Sequence, residues 1–403
     1  MRHLIIGCGA AALSAAATIR KVDPAGKVTI LSRETMKPYA RMALPYLLSG
    51  RVEEKGFFLA EPAGTELLLG EEAAQIDTGR RVVVTAAGRN FAFDRLLIAT
   101  GGTPERPELE GGELPFVFTV RDLPDVTGIR GRIPGRTGRA VIAGAGPVGM
   151  EIGDALHKLG MAITFVVASD RVFSMLLDSP AAELVRRKLE EKGVEIRTGE
   201  EIVRIGEEGE VLLKSGEKRT CDVVILGKGV SPCHPFLAGS RIVANQGIRV
   251  DDRQQTNCPG VYAAGDVART RDIVHGENRV NALWPVAVEQ GRVAALNMAG
   301  VPAAYPGSLS RNILRVFGLS ILTAGRSRDE GPEVRRSETG EGYHKIVLDR
   351  GILRGLICIG EARNEGLYAA LIKSGADIAP FADSLLKGSY CYARYLARSM
   401  RLR

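Results

Sequence analysis

The chain has 403 residues, which is too long for one hydrophobic core and predicts two or three domains. Apolar residues make up 45% of it and charged residues 25%, as in ordinary globular proteins. The net charge of +7 comes, outside the C-terminal end, with an even spread of charge, and no stripe of basic and aromatic residues resembles a nucleic-acid platform, so we expect no nucleic-acid partner. No apolar run approaches the roughly 18 residues that span a bilayer. Because the N-terminus runs straight into a strand, without a signal peptide, we expect a cytoplasmic protein that does not bind membranes.

Six cysteines are spread along the chain, and none forms a C-x-x-C pair. This spacing argues against a dithiol of the thioredoxin type, a zinc site or an iron–sulfur cluster held by this chain. We therefore expect no metal site, and the cysteines are interpreted as scattered buried thiols.

The first predicted unit is a strand over residues 2–6 followed by a helix over 10–22, with Gly7 and Gly9 between them and Ala12 in the first turn of the helix. In a dinucleotide-binding loop the first glycine makes the turn, and the second lets the backbone approach a pyrophosphate. The third small residue allows close packing of helix on strand. The helix N-terminus then faces the anion.

A second strand is predicted over residues 28–31, and Glu34 follows it, 22 residues after Ala12. A carboxylate at this position can accept hydrogen bonds from a ribose. An exposed loop carboxylate is the alternative. Short strands are then expected around 82–85 and 91–93, and a buried strand over 95–99 leads into Thr100 and Gly101. Prolines and glycines over 102–115 predict a linker.

A second copy of the glycine motif follows a strand at 140–143 and opens a helix near 147–159. Its small residues are Gly144, Gly146 and Gly149, and Gly144 lies 137 residues after Gly7. One such loop binds one dinucleotide. Two in one chain predict two bound dinucleotides and electron transfer between them.

The elements after the second motif are predicted from apolar periodicity and turn residues. A strand covers 163–167, and an amphipathic helix covers 180–192. Strands are expected near 194–198, 202–205, 210–214, 223–226, 344–348 and 353–360. Further helices are expected near 285–299, 365–374 and 380–387.

Five motifs occur in a fixed order: the two glycine loops, Leu97–Gly101, the turn over 227–232, and the segment 247–251 leading to Ala264-Gly265-Asp266. In these motifs the chain resembles the FAD-dependent pyridine nucleotide–disulfide oxidoreductase superfamily. The resemblance implies an α/β fold with two Rossmann-like nucleotide-binding domains, for FAD and for NAD(P), plus a C-terminal α+β interface domain. The implied boundaries are 1–112 and 236–305 for FAD, 113–235 for NAD(P), and 306–403 for the last domain.

The resemblance also implies roles for single residues. Asp266 would accept a hydrogen bond from the ribityl chain, or serve simply as a helix N-cap. Arg41 would lie near the flavin, and Glu151 would orient the nicotinamide. For these two, a surface salt bridge and ordinary helix solvation are the alternatives. The remaining implied ligands to the two dinucleotides are Gly7, Gly9, Ala12, Glu34, Ala99, Thr100, Gly101, Gly144, Gly146, Gly149, Gly229, Gly265 and Trp284.

Relatives that reduce disulfides carry a cysteine in a Cys-Gly-Leu-Pro-Tyr segment, and this chain has Met42 and Ala43 there. A thioether cannot form the thiolate or mixed disulfide that such chemistry needs. The segment Pro38-Tyr39-Ala40-Arg41 instead resembles the branch of rubredoxin reductases and nitrite reductase flavin subunits.

The resemblance therefore implies an NAD(P)H oxidoreductase whose FAD passes electrons to a rubredoxin, a ferredoxin or an iron–sulfur partner subunit, for example of an aldehyde oxidoreductase. An NADH oxidase using oxygen, or a subunit with a structural flavin, are the alternatives. NADH is favoured over NADPH, although Val167 stands where NADH-selective relatives carry an acid; Asp170 and Arg171 follow it.

The C-terminal end is basic and aromatic, and either docks an acidic protein or forms a final helix whose cations suit its dipole. Its residues are Lys387, Tyr390, Tyr392, Arg394, Tyr395, Arg398, Arg401 and Arg403. The last domain is of a type used for dimerisation, so the resemblance is compatible with a homodimer or a hetero-oligomer.

Overall fold

A computed structural model describes residues 1–133, 138–328, 331–339, 342–360 and 365–387. The chain divides into two compact units. The first contains Met1–Pro104 and Val230–Ser308, and the second contains Glu105–Gly229 and Leu309–Arg403. The four domain boundaries expected from the sequence stay a prediction. Within the described residues, none of the helices combines the length and apolar character that crossing a bilayer requires.

The first segment of the chain supplies most of a parallel sheet and a small antiparallel one. Its helices are α1 (Ala10–Val22) and α2 (Leu44–Leu48). Its strands are β1 (Arg2–Ile6), β2 (Lys27–Ser32), β3 (Glu66–Leu69), β4 (Ala73–Asp77), β5 (Val82–Thr85), β6 (Asn90–Ala92), β7 (Arg95–Ile98) and β8 (Gly102–Pro104).

The second segment repeats the strand–helix alternation. Its helices are α3 (Leu123–Gly131), α4 (Pro147–Lys158) and α5 (Ser179–Glu190). Its strands are β9 (Val117–Phe118), β10 (Arg139–Ala143), β11 (Ala162–Val167), β12 (Glu195–Thr198), β13 (Ile202–Ile205), β14 (Glu210–Leu213), β15 (Lys218–Thr220) and β16 (Val223–Leu226).

The third segment returns to the first unit, and the fourth returns to the second. The third holds β17 (Val230–Pro232), β18 (Ala244–Asn245), β19 (Gly247–Arg249), β20 (Val261–Ala263), β21 (Ala268–Arg271), β22 (Asn278–Arg279) and α6 (Trp284–Met298). The fourth holds β23 (Arg311–Val316), β24 (Leu319–Gly325), β25 (Glu333–Thr339), β26 (Gly342–Asp349), β27 (Ile352–Ile359), α7 (Glu365–Ser374) and α8 (Ala382–Leu386).

Each unit is built on a five-stranded sheet whose strands all run parallel. The order is β20-β7-β1-β2-β3 in the first unit and β12-β11-β10-β16-β9 in the second. Because β20 comes from the third segment, the first unit's sheet is complete only when the chain returns. The antiparallel sheet β23-β24-β27-β26-β25 packs against α4 and α5 on one side and carries α7 and α8. The predicted α/β fold with two Rossmann-like cores and a C-terminal α+β part is confirmed.

Helix α1 packs closely on α6 because both present small residues at their crossing. The buried face of α1 is mostly alanine, the residue with the highest helix propensity. A Cβ added at Gly291 of α6 would lie 2.2 Å from the carbonyl oxygen of Ala11. This contact leaves no room for a side chain, so the start of α1 is held in one position.

A buried charge network attaches the C-terminal sheet to α5 within the second unit. Asp178 caps α5 by accepting from the Ala181 N–H at 3.3 Å. Its other oxygen accepts from the Tyr343 hydroxyl at 2.7 Å and pairs with the Lys345 ammonium at 2.9 Å. The Lys345 side chain is 0% exposed and that of Asp178 is 7% exposed. One carboxylate therefore serves both as the cap of α5 and as the counter-charge of a fully buried lysine.

We predict that Asp178→Asn lowers the free energy of unfolding by about 3–5 kcal/mol, because it leaves the Lys345 ammonium buried without a counter-charge. Urea denaturation at pH 7 measures the loss. Asp383→Asn is the matched control, because the Asp383 carboxylate pairs with Arg335 at 2.8 Å but is 75% exposed. That variant should lose no more than about 1 kcal/mol. Equal losses in the two variants would contradict the role given to Asp178.

Candidate functional site

The first glycine loop joins β1 to α1 through a turn that only glycine can make. Gly7 has a φ of +104°, and its N–H donates to the Leu31 carbonyl at 2.8 Å. A Cβ there would lie 2.2 Å from the Ala99 carbonyl oxygen at the end of β7. Gly9, the N-cap of α1, is the opposite case, because a Cβ there would meet nothing within 4 Å. The helix N-terminus therefore faces open space, where its N–H groups would favour an anion such as a pyrophosphate.

The second glycine loop repeats this geometry in the other unit. Gly144 has a φ of +112°, and a Cβ there would lie 2.3 Å from the Gly227 carbonyl oxygen. The N–H of Gly144 donates to the Val166 carbonyl at 2.8 Å. Gly146 is the N-cap of α4, and a Cβ there again meets nothing within 4 Å. Gly149 needs its missing side chain, because a Cβ would lie 2.3 Å from the Gly144 carbonyl oxygen.

The predicted turn at Gly265 and Asp266 is held by a buried side chain that sequence reasoning did not single out. Gly265 has a φ of +81°, and its N–H donates to Oε1 of Gln290 at 2.8 Å. Nε2 of Gln290 donates to the Thr270 hydroxyl at 3.1 Å. Gln290 is 1% exposed, and a buried glutamine in the apolar stripe of α6 is the sequence signal that could have identified it. Asp266 is half-buried beside this turn.

The end of β7 is fixed from two sides within the first unit. The Ala99 N–H donates to the Ile6 carbonyl at 2.8 Å. The Thr100 hydroxyl donates to the Cys233 carbonyl at 2.5 Å, and the Cys233 N–H donates to the Gly101 carbonyl at 2.9 Å. Ala12 is fully buried in α1, and Trp284 is half-buried as the first residue of α6.

Glu34 and Arg41, predicted separately, form an ion pair. The second oxygen of the Glu34 carboxylate accepts from the Tyr39 hydroxyl at 2.7 Å, and the Arg41 guanidinium donates to that hydroxyl at 3.1 Å. Both charged side chains are about a quarter exposed, at 27% and 25%. Glu34 is predicted to bind the adenosine ribose and Arg41 to lie near the flavin ring, and these two groups lie at opposite ends of an extended FAD. The Arg41 guanidinium can therefore contact only one of them at a time. The individual roles of Glu34 and Arg41 stay predictions.

The described cysteines include no thiol in a disulfide, and three of them are buried. Cys8 lies inside the first glycine loop, where burial, with smaller contributions from Glu34 and Glu61, raises the pKa of its thiol to about 12. Such a thiol is protonated at neutral pH and a poor nucleophile. Met42, at the position of the relatives' redox cysteine, is 59% exposed in the short turn Arg41–Ala43.

Glu151 lies on the first turns of α4, three residues before a second carboxylate. Burial, with a smaller contribution from Asp154, raises the pKa of Glu151 to about 7. Asp154 is 6% exposed, pairs with the Lys158 ammonium at 2.5 Å and accepts from the Phe317 N–H at 2.8 Å. The Asp154 charge is therefore fixed in place, and it opposes ionisation of Glu151.

The loop after β11 carries an exposed carboxylate, Asp170, and a guanidinium, Arg171, that is bound within the loop. Arg171 pairs with Asp170 at 2.8 Å, and its ε N–H donates to the Leu177 carbonyl at 3.4 Å. The Asp170 side chain is 75% exposed. Gly229, at the predicted turn after β16, has a φ of +105°, and its carbonyl accepts from the Glu105 N–H at 2.9 Å.

The C-terminal tyrosines and arginines predicted as a docking surface, from Tyr390 to Arg403, lie outside the described residues. Lys387, the first residue of that basic stretch, is the C-cap of α8. The functional roles expected of the site residues all stay predictions.

Comparison with known proteins gives a family and several relatives. A family model described as pyridine nucleotide-disulphide oxidoreductase matches residues 1–291. The epsilon subunit of NADH-dependent phenylglyoxylate dehydrogenase from Aromatoleum evansii is 32% identical over 407 residues, covering 98% of this chain and 96% of that protein. Rubredoxin-NAD(+) reductase from Pseudomonas putida is 30% identical over 316 residues, covering 76% of this chain and 82% of that protein.

A solved structure shows the same fold. The NAD-dependent persulfide reductase from A. fulgidus aligns with a TM-score of 0.87 and 26% identity, over 95% of this chain and 79% of that one. The names of these three relatives differ in the acceptor or enzyme they specify. Membership of the family therefore does not identify the electron acceptor, which has to be inferred from the residues of this chain.

We predict that valine at Gly9 impairs only the FAD site and that valine at Gly146 impairs only the NAD(P) site. Both residues have negative φ, −89° at Gly9 and −82° at Gly146, so the backbone tolerates valine. Its side chain would fill the open space at the helix N-terminus, and we call each glycine loop with this space a cradle. Gly9→Val should be purified with little or no flavin. Gly146→Val should keep its flavin but need at least roughly tenfold more NADH for reduction. Visible absorbance and anaerobic NADH titration measure both, with Gly366→Val in α7 as the control.

The raised pKa of Glu151 predicts a pH dependence of stability. Between pH 4.5 and about 7 the folded state holds a proton that the unfolded state has lost, so the free energy of unfolding falls as pH rises. Glu151→Gln removes this loss, so its stability relative to wild type should increase from pH 5 to pH 8. Glu183→Gln is the control, because Arg186 lowers the pKa of that carboxyl. A constant difference for Glu151→Gln would contradict the assignment.

Proposed function

Because the chain belongs to the pyridine nucleotide-disulphide oxidoreductase family, we propose that it passes electrons from NAD(P)H, through FAD, to a separate one-electron protein carrier. It is an FAD-dependent NAD(P)H oxidoreductase. The observation that carries the proposal is the duplicated cradle, closed to any side chain at Gly7 and Gly144 and open at Gly9 and Gly146. Two cradles hold two dinucleotides, one to deliver electrons and one to relay them.

Bound FAD would accept two electrons from NAD(P)H and release them one at a time. The chain's own residues hold and orient it. The N–H groups at the start of α1 face the pyrophosphate, and the Glu34 carboxylate keeps lone pairs for a ribose hydroxyl beside its bonds to Tyr39 and Arg41. The turn at Gly265, fixed by Gln290, sets the position of Asp266 for the ribityl chain.

A protein carrier is the proposed acceptor because the residues predicted near the flavin do not support sulfur chemistry. Met42 cannot relay electrons as a thiolate, and the Cys8 thiol is held protonated by burial. The chain is also similar to proteins named as a rubredoxin-NAD(+) reductase and as the epsilon subunit of a dehydrogenase. The proposed acceptor is therefore a rubredoxin, a ferredoxin or an iron–sulfur partner subunit.

NADH is the proposed nucleotide. The exposed Asp170 carboxylate can accept from the ribose hydroxyls of NADH. Arg171 is bound to that carboxylate and to the Leu177 carbonyl, so its guanidinium is engaged and not directed to the 2′-phosphate of NADPH. A cytoplasmic location is also proposed, because none of the five described cysteines forms a disulfide bond, as in reducing compartments.

Anaerobic titration with NADH, followed by oxidised rubredoxin or ferredoxin, tests this function. The bound flavin should be bleached by one equivalent of NADH and reoxidised by two equivalents of carrier. Rapid reoxidation by oxygen, with neither carrier effective, would favour an NADH oxidase. A flavin that neither NADH nor NADPH bleaches would show that the cofactor is structural.

We predict that removing both partly exposed thiols leaves carrier reduction intact. Cys233 has backbone bonds to Thr100 and Gly101, so its thiol lies close to the predicted flavin ligands, as does that of Cys8. The double variant Cys8→Ser/Cys233→Ser should keep its flavin and reduce rubredoxin at the wild-type rate. Cys358→Ser, at a buried thiol in β27, controls for general effects of the exchange. Loss of rubredoxin reduction with flavin reduction intact would contradict the absence of a sulfur relay.

A further inference from the structure

Three arginines form a row on the small sheet of the first unit. Strands β19 and β21 pair in parallel, and their register places Arg249 directly opposite Arg269. Arg271 follows Arg269 by two residues on β21, so its side chain leaves the same face of the sheet. The three Cα atoms are about 5 Å apart across the strands and about 7 Å apart along β21. Arg249 and Arg271 are exposed, and Arg269 is half-buried. We call these three residues the arginine row.

Within the part of the chain that the structure describes, the positive charge of the arginine row is not balanced by ion pairs. Among the described residues, no carboxylate oxygen lies within 4.0 Å of its guanidinium groups. The Arg269 guanidinium donates to neutral groups, the Asn278 carbonyl at 2.8 Å and the Asn245 side-chain oxygen at 3.3 Å. By contrast, Arg2 and Arg89 of the same unit each pair with a carboxylate.

Five acidic residues lie within six positions of the arginine row in sequence: Asp251, Asp252, Asp266, Asp272 and Glu277. Three of them are held by other bonds. Asp272, next to Arg271, is buried and accepts from the Val274 and His275 N–H groups at 2.9 Å. Glu277 pairs with Arg279 at 3.5 Å. The Asp251 carboxylate accepts from the N–H groups of Arg253 at 2.9 Å and Gln255 at 2.8 Å, which form its own turn. The arginine row therefore presents net positive charge to solvent.

The opposite face of β21 contacts the predicted flavin turn. Thr270, between Arg269 and Arg271, is 3% exposed and points inward. Its hydroxyl accepts from Gln290, whose other side-chain atom holds the Gly265 N–H beside Asp266. One strand thus carries the arginine row on its outer side and supports the Gly265 turn on its inner side.

We propose that the arginine row is the docking surface for the acidic face of the one-electron carrier. The proposal rests on the proposed function, since a carrier must approach the flavin to receive electrons. A cluster of unpaired cations steers an acidic partner and fixes its orientation. Its place behind the Gly265 turn would bring the redox centre of that partner toward the cofactor. The row has no aromatic residue interleaved with it on its strands, which disfavours nucleic acid.

Charge reversal at the two exposed members tests the docking surface. The double variant Arg249→Glu/Arg271→Glu should raise the KM for rubredoxin at least roughly tenfold at low ionic strength and flatten its dependence on salt. Arg269 is left unchanged because its guanidinium ties β21 to β22. The rate at which NADH reduces the flavin, and the turnover with a neutral quinone, should stay at wild-type values. Arg249→Gln/Arg271→Gln should give a smaller increase in the KM, and it serves if the reversed variant does not fold.

Lys21→Glu/Lys27→Glu is the matched control, because it makes the same charge change at two exposed residues of the first unit, in the last turn of α1 and at the start of β2, away from the glycine loop. Lys21 is 12 residues from the Gly9 N-cap, roughly 18 Å along the helix. This control should keep the wild-type KM for rubredoxin. An unchanged KM and salt dependence in both arginine variants would overturn the docking surface while leaving the proposed function intact. A wild-type protein that reduces neither rubredoxin nor ferredoxin would overturn both.

Discussion

The structure depends on a contact between backbone atoms at the end of two parallel strands. In each unit the first glycine of the loop turns against the carbonyl of the neighbouring strand end, Ala99 in one unit and Gly227 in the other. No side chain fits between them, so the loop can only leave the strand in one direction. The second glycine then opens toward solvent at the helix N-terminus, where unpaired N–H groups favour an anion. The predicted binding of both dinucleotides depends on this one constraint.

The chain completes the two units in an interrupted order, and this has consequences for the first site. Strand β20, the Gly265 turn and α6 all come from the third segment, after the second unit has been traversed. The flavin ligands predicted at Gly9 and Asp266 therefore meet only when both parts of the first unit are folded. In the second unit, the Phe317 N–H donates to Asp154 at 2.8 Å, so the fourth segment holds α4, the helix that the second glycine loop opens. Long-range contacts fix both sites.

Much of the fold was predictable because the signals are local. The helix expected at 10–22 is α1, Ala10–Val22, and that expected at 147–159 is α4, Pro147–Lys158. Glycine spacing and short apolar runs specify these units without reference to the rest of the chain. Alignment of the Leu-Pro-Tyr segment put Met42 at the position of the relatives' redox cysteine, and the structure places Met42 in an exposed turn.

The contacts that refine the sites were not predictable, because each joins residues through tertiary structure. Nothing in the sequence pairs Glu34 with Arg41 or places Gln290 against Gly265. The arginine row arises from the parallel register of β19 and β21, which strands of only three and four residues do not encode by periodicity. Charge balance around a residue likewise becomes visible only when neighbours in space are known.

The number of dinucleotides held by one chain tests the central claim most directly. Equilibrium dialysis of the flavin-free protein against FAD and NAD⁺ together, with both quantified after denaturation, measures it. Two independent cradles predict one FAD and one NAD⁺ per chain, each bound without displacing the other. Saturation at a single dinucleotide per chain, with FAD and NAD⁺ competing for it, would contradict the account.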